Sequence, residues 1–116
     1  MRLLLLAALP LLLAAGRAEA HAVLIDSTPA ASATVPTGNV AITLHYNSKI
    51  DRERSRVTLS EPGSAKPAVL AIGKGGSQDV IETGVNGARP GDYVLHWQVL
   101  AIDGHITRGD VPFTVK

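Results

Sequence analysis

The chain has 116 residues, with 11 Lys and Arg against 10 Asp and Glu, a balance that argues against a nucleic-acid or polybasic membrane-surface role. It has no cysteine, and its one methionine is Met1, which excludes thiol chemistry, thiolate metal sites and thioether ligation by the body of the protein. The length suits one domain with one core.

The first 20 residues read as a secretory signal peptide. Arg2 supplies the positive charge, Leu3 to Ala15 is an uncharged apolar run, and Ala18-Glu19-Ala20 is a small-x-small cleavage site. The run is too short for a spanning helix, which needs about 20 apolar residues, and it contains Pro10. Cleavage after Ala20 removes Arg2, Arg17 and Glu19 and leaves residues 21–116 formally neutral, with His21 as the first residue. The expected mature protein is soluble, periplasmic and not inserted in the membrane.

Beyond residue 20, short β-like runs alternate with turn signals at Pro29, Pro36 to Asn39, Glu61 to Ser64, Gly73 to Gly76 and Arg89 to Asp92. The expected strands begin with Ala22 to Ile25 and Val40 to Tyr46; in the latter, Val40, Ile42, Leu44 and Tyr46 share one face. Residues 47–56 are polar and charged and read as a crossover loop. Further strands are expected around Val57 and Leu59, over Ala68 to Ile72, and over Asp79 to Glu82. Tyr93, Leu95, Trp97 and Val99 line one face of the longest strand, with Trp97 as core anchor, and Val111, Phe113 and Val115 alternate at the end. Short strands at this spacing indicate an all-β sandwich or barrel.

His45 and His96 fall on strand faces opposite the large apolar residues and read as half-exposed strand histidines. Asp103 and His105 lie two apart around Gly104, in a loop before the last strand. If that stretch is extended, both side chains point to one side. His21, once it is the first residue, offers two ligands: an α-amine with an ordinary pKa of about 8 and an imidazole. Amine and Nδ1 close a six-membered chelate ring. With Asp103 and His105 the donor set is nitrogen and oxygen with tetragonal preference, which suits Cu(II), then Ni(II); zinc matches it less distinctively. Asp110 and Ser48 are candidates to accept the second N–H of a metal-bound imidazole. Arg108 reads as an exposed turn residue with Asp103 and Asp110 within reach.

From His21 to Lys116 the chain resembles the CopC family of periplasmic copper-binding proteins. The resemblance is carried by His21-Ala22-Val23-Leu24 with Ser27-Thr28-Pro29-Ala30-Ala31, by Gly91-Asp92-Tyr93-Val94-Leu95-His96-Trp97, and by Asp103-Gly104-His105 with Gly109 and Phe113-Thr114-Val115. It implies a small Greek-key β-sandwich of the immunoglobulin or cupredoxin-like kind over residues 21–116. It also implies one Cu(II) per chain at His21, Asp103 and His105, and a partnership with an inner-membrane copper transporter of the CopD type. The chain departs from the family pattern in two places. It has no methionine-rich Cu(I) site, and Tyr46-Asn47-Ser48-Lys49 replaces Phe-Ser-Glu-Pro, so Ser48 stands where some members carry a glutamate.

The expectation is therefore a monomeric copper carrier rather than an enzyme. Copper monooxygenases share only the terminal histidine brace, and one Trp, two Tyr and one Phe make a poor platform for a polymeric substrate. A metal-free interaction module would require the three candidate ligands to be coincidence.

Overall fold

A computed structural model describes residues 21–116; the expected signal peptide lies outside the described residues. Eight strands build two sheets: β1 (Leu24–Thr28), β2 (Thr34–Val35), β3 (Gly38–Tyr46), β4 (Ile50–Ser60), β5 (Ala68–Leu70), β6 (Val80–Ala88), β7 (Gly91–Ala101) and β8 (Ile106–Val115). One sheet has the order β1-β3-β6 and the other β2-β8-β7-β4-β5. The chain changes sheet between β1 and β2, between β2 and β3, between β3 and β4, between β5 and β6, and between β6 and β7, which interlocks the two layers as a β-sandwich. Among the described residues, no helix is long and apolar enough to cross a membrane.

The alternating runs face inward as their period requires. Val40, Ile42, Leu44 and Tyr46 of β3 are buried, as are Tyr93, Leu95, Trp97, Val99 and Ala101 of β7 and Val111, Phe113 and Val115 of β8. Together with Val57, Leu59 and Ile81 they form one core between the sheets. Tyr46 meets Trp97 edge to face across the layers, with ring centroids 5.2 Å apart. Tyr93 fixes the corner into β7: its hydroxyl donates to the Arg89 carbonyl at 2.8 Å and accepts the Arg89 N–H at 3.1 Å.

Several sequence-based bounds are corrected. Residues 47–56 are not one crossover loop, because β4 starts at Ile50, which is buried, and pairs with β7. Its register shifts between Asp51 and Arg56. Such an irregularity breaks the alternation that would have marked the strand. The first strand starts later than expected, at Leu24; the last starts earlier, at Ile106. The short β2, parallel to β8, was not expected.

Candidate metal centre

The β7–β8 hairpin places two of the candidate ligands. The chain reverses between Ala101 and His105, with Ala101 N–H donating to the His105 carbonyl at 2.9 Å and Gly104 N–H to the Ala101 carbonyl at 2.9 Å. Gly104 sits at φ 88°, in the left-handed region that a side chain disfavours. The stretch is thus a tight turn and not extended. Asp103 and His105 still converge, because the Asp103 carboxylate folds back over the turn. Its Oδ1 accepts the His105 backbone N–H at 3.0 Å, and its Oδ2 lies 2.9 Å from His105 Nδ1. The backbone donor first, then the ring, holds the Asp103 carboxyl below its ordinary pKa, so it is ionised at neutral pH. The Nδ1 contact leaves His105 Nε2 as the nitrogen with a free valence.

His21 arrives from the other end of the chain. Its ring meets that of His105 edge to face, with centroids 4.4 Å apart. Potential ligand atoms of His21, Asp103 and His105 all lie within 4.8 Å of one another. His21 Nδ1 is buried and has no hydrogen-bond partner among the described residues. A buried polar nitrogen without a partner is costly, and a metal ion would satisfy it. Two imidazoles and a carboxylate are a donor set that fits Cu(II). Asp103 and His105 are exposed and His21 is half-buried, so the cluster opens to solvent at one end of the sandwich. Val23, Ile102 and Ile106, each close in sequence to a candidate ligand, are exposed apolar residues.

Of the remaining polar residues, Asp110, His96, His45 and Arg108 have side-chain partners outside the cluster. Asp110 does not serve the cluster: its Oδ1 is 2.7 Å from His96 Nδ1, while His96 Nε2 is 2.8 Å from Ser60 Oγ. This has the hydrogen-bond order of a nucleophilic triad. However, His96 pairs with Thr58 on one side and Asp110 on the other, so the ladder engages its strand on both edges. An oxyanion needs free donors, and the set instead ties β4, β7 and β8 together on the outer face. His45 lies between Asp26 and Asp79, 3.3 Å from each. Both histidines are partly exposed strand residues, as their parity indicated. Arg108 lies within β8 and donates through Nε to Gln98 Oε1 at 2.8 Å, pairing with neither Asp103 nor Asp110. Ser48 Oγ is buried without a hydrogen-bond partner among the described residues.

Sequence reasoning missed the residues that bond the backbone just after His21. Thr107 Oγ1 donates to the Ala22 carbonyl at 2.7 Å, and Asn47 Oδ1 accepts the Val23 N–H at 2.8 Å. No periodicity or motif marks either one, since both act on backbone that is distant in sequence.

Comparison with known proteins agrees with this architecture. The chain is 33% identical over 100 residues to Protein YobA of Escherichia coli K12, covering 84% of this chain and 80% of that one. It is 30% identical over 111 residues to Copper resistance protein C of Xanthomonas campestris pv. juglandis, covering 90% and 87%. Among solved structures, CopC from Methylosinus trichosporium OB3b superposes with a TM-score of 0.66 at 24% identity, over 83% of this chain and 94% of that one. PcoC, a methionine-rich copper resistance protein from Escherichia coli, gives 0.64 at 23% identity, over 83% and 99%. These two likenesses concern the fold. Residues 24–116 match the CopC domain, and the chain belongs to the CopC family.

Proposed function

We propose that this protein is exported, cleaved after Ala20, and holds one Cu(II) per chain in the periplasm as a monomeric, non-enzymatic carrier. The ligands are the α-amine and imidazole of His21, the Asp103 carboxylate and the His105 imidazole. The observation that carries this reading is the approach of His21, Asp103 and His105 ligand atoms to within 4.8 Å, with His21 Nδ1 buried and unpartnered among the described residues. Copper is the cargo, in keeping with a family that includes copper resistance proteins.

The chemistry follows from the donors. Amine and imidazole must lose their protons to ligate, so binding weakens as the solution becomes acidic. Three nitrogens and one carboxylate oxygen favour the tetragonal Cu(II) ion over Cu(I), and the described residues contain no sulfur to reverse that preference. The exposed position of Asp103 and His105 suits exchange with a recipient, for which we propose an inner-membrane copper transporter of the CopD type.

The test is a Cu(II) titration with electron paramagnetic resonance on two proteins, one beginning at His21 and one with a single residue ahead of it. The reading expects tight 1:1 binding with nitrogen coupling in the first and much weaker binding in the second, whose amine has become an amide. Equal binding by both would refute the N-terminal chelate, and binding by neither would refute the carrier.

A further inference from the structure

The three candidate ligands come from two places far apart along the chain: His21, the first residue once the proposed cleavage after Ala20 has occurred, and the hairpin turn that carries Asp103 and His105. A terminal residue is ordinarily mobile unless something ties it down. Here residues 22 and 23 are tied at three points. Ala22 is 1% exposed and belongs to the core. Its carbonyl accepts the Thr107 hydroxyl at 2.7 Å. Val23 is held on both backbone groups by Asn47, whose side-chain oxygen accepts the Val23 N–H at 2.8 Å and whose N–H donates to the Val23 carbonyl at 2.9 Å. Asn47 directly follows β3 in one sheet, while Thr107 belongs to β8 in the other and lies two residues from His105. The terminal arm is therefore fastened to both layers of the sandwich, one residue short of His21.

We infer that Thr107 and Asn47 are positioning residues for the metal centre, which fix the arm so that His21 meets Asp103 and His105 before any metal arrives. This rests on the proposed function of the same cluster. Thr107 has the more direct effect: its hydroxyl joins the arm to the strand that leads out of the Asp103–His105 turn, so both halves of the ligand set share one rigid frame. A preorganised site does not have to order the arm at the expense of binding. Partners that orient metal ligands typically contribute about 10- to 100-fold in affinity. Thr107 and Asn47 touch only the backbone of the arm, so their loss should loosen the site without changing which atoms can ligate.

The experiment uses the protein beginning at His21, with Cu(II) affinity read by chelator competition and the ligand field by electron paramagnetic resonance. Thr107→Val keeps the shape and removes the hydroxyl; Asn47→Ala removes the acceptor. Each is expected to weaken binding by about 10- to 100-fold and to broaden the nitrogen hyperfine pattern. Thr107→Ser and Asn47→Asp, which restore the donor and the acceptor, should recover most of the loss. Thr114→Val is the structural control, because it removes a hydroxyl that bonds Asp92 Oδ1 at 2.9 Å, further along the same strand. It should leave affinity unchanged. In the metal-free protein the Val23 amide should be protected from hydrogen exchange, and Thr107→Val and Asn47→Ala should remove that protection. Wild-type affinity and spectra in Thr107→Val and Asn47→Ala would overturn the inference while leaving the carrier standing. An equal loss in Thr114→Val would overturn it too, by showing a general effect of stability. Failure of the wild-type protein itself to bind copper would overturn the carrier reading, a different result.

Discussion

Both oxygens of the Asp103 carboxylate are engaged by His105, one by its backbone N–H at 3.0 Å and the other facing its ring Nδ1 at 2.9 Å. One side chain thus closes the turn and orients the imidazole beside it. This relationship makes Asp103 a ligand candidate and a support for its neighbour.

Two substitutions separate those roles. Asp103→Asn keeps an oxygen for the His105 N–H but loses the charge, whereas Asp103→Ala loses both. The expected order of Cu(II) affinity is wild type, then Asn, then Ala, with the Asn and Ala proteins separated by about 10-fold or more. Chelator competition measures it; equal affinity in the Asn and Ala proteins would show that the oxygen kept for the His105 N–H does nothing to set the ring.

Trp97 packs against a bare strand. A Cβ on Gly109, which faces Trp97 across the β7–β8 pair, would lie 2.4 Å from Cζ2, 2.6 Å from Cε2 and 2.9 Å from Nε1 of the indole. Trp97 is 8% exposed and packed in the core. Gly109→Ala is therefore expected to destabilise the fold by about 1–3 kcal/mol, as overpacking of cores generally does. Denaturant unfolding followed by the fluorescence of this single tryptophan would measure it, and Trp97→Phe in the same protein should recover part of the clash.

Tyr46 is fully buried, and its hydroxyl has no hydrogen-bond partner among the described residues. Burial pushes the phenol pKa up, so the group stays neutral. A buried unpartnered polar group costs about 1–3 kcal/mol, so Tyr46→Phe should leave stability unchanged or raise it by about 1 kcal/mol while keeping the edge-to-face packing on Trp97. Thermal unfolding checks this. A clear loss of stability would show that the hydroxyl has a bonding role in solution.

His45 gives the fold a pH dependence. Its Nδ1 lies 3.3 Å from Asp26 Oδ2 of β1, and its Nε2 lies 3.3 Å from Asp79 Oδ2 just ahead of β6. Only the imidazolium can donate at both nitrogens. The Asp26 hydrogen bond, and then that of Asp79, outweigh desolvation and raise the His45 pKa above 6.5. Asp79 is lowered, first by the Ser77 hydroxyl and further by His45. The sign follows by linkage. The His45 contribution is fully present below 6.5, its ordinary pKa, and is lost as pH rises through the raised folded value. The Asp79 contribution is present above 3.8, its ordinary pKa, and is lost as pH falls through the lowered folded value. His45→Gln should flatten the alkaline side of the stability profile. A ring titration by NMR with a midpoint at or below 6.5 would contradict this.

How much could be read in advance differs from segment to segment. Val40, Ile42, Leu44 and Tyr46 alternate without interruption, and so do Tyr93, Leu95, Trp97 and Val99; each set is buried as its period requires. The start of β4 escaped notice because Arg52, Glu53 and Arg54 follow one another where the pairing with β7 is irregular, and no period survives there. The Asp103–His105 pair was legible as a short motif, although it converges through a turn around Gly104 rather than through an extended strand. Arg108 is exposed as expected but lies within β8 rather than in a turn, and the glycine beside it, Gly109, admits the Trp97 indole.

The sequence by itself determined the all-β class, the inward faces of the main strands and the absence of sulfur ligands beyond Met1, because these depend on residue type and local period alone; the three candidate donors came from the expected cleavage point, a short motif and the CopC resemblance. Tertiary structure decided that His21 and His105 bring their rings to 4.4 Å, that Asp110 serves His96, and that Thr107 reaches the Ala22 carbonyl. Those relations join strands distant along the chain, and their distances are set by how two sheets pack and in what register. Local sequence carries no record of either.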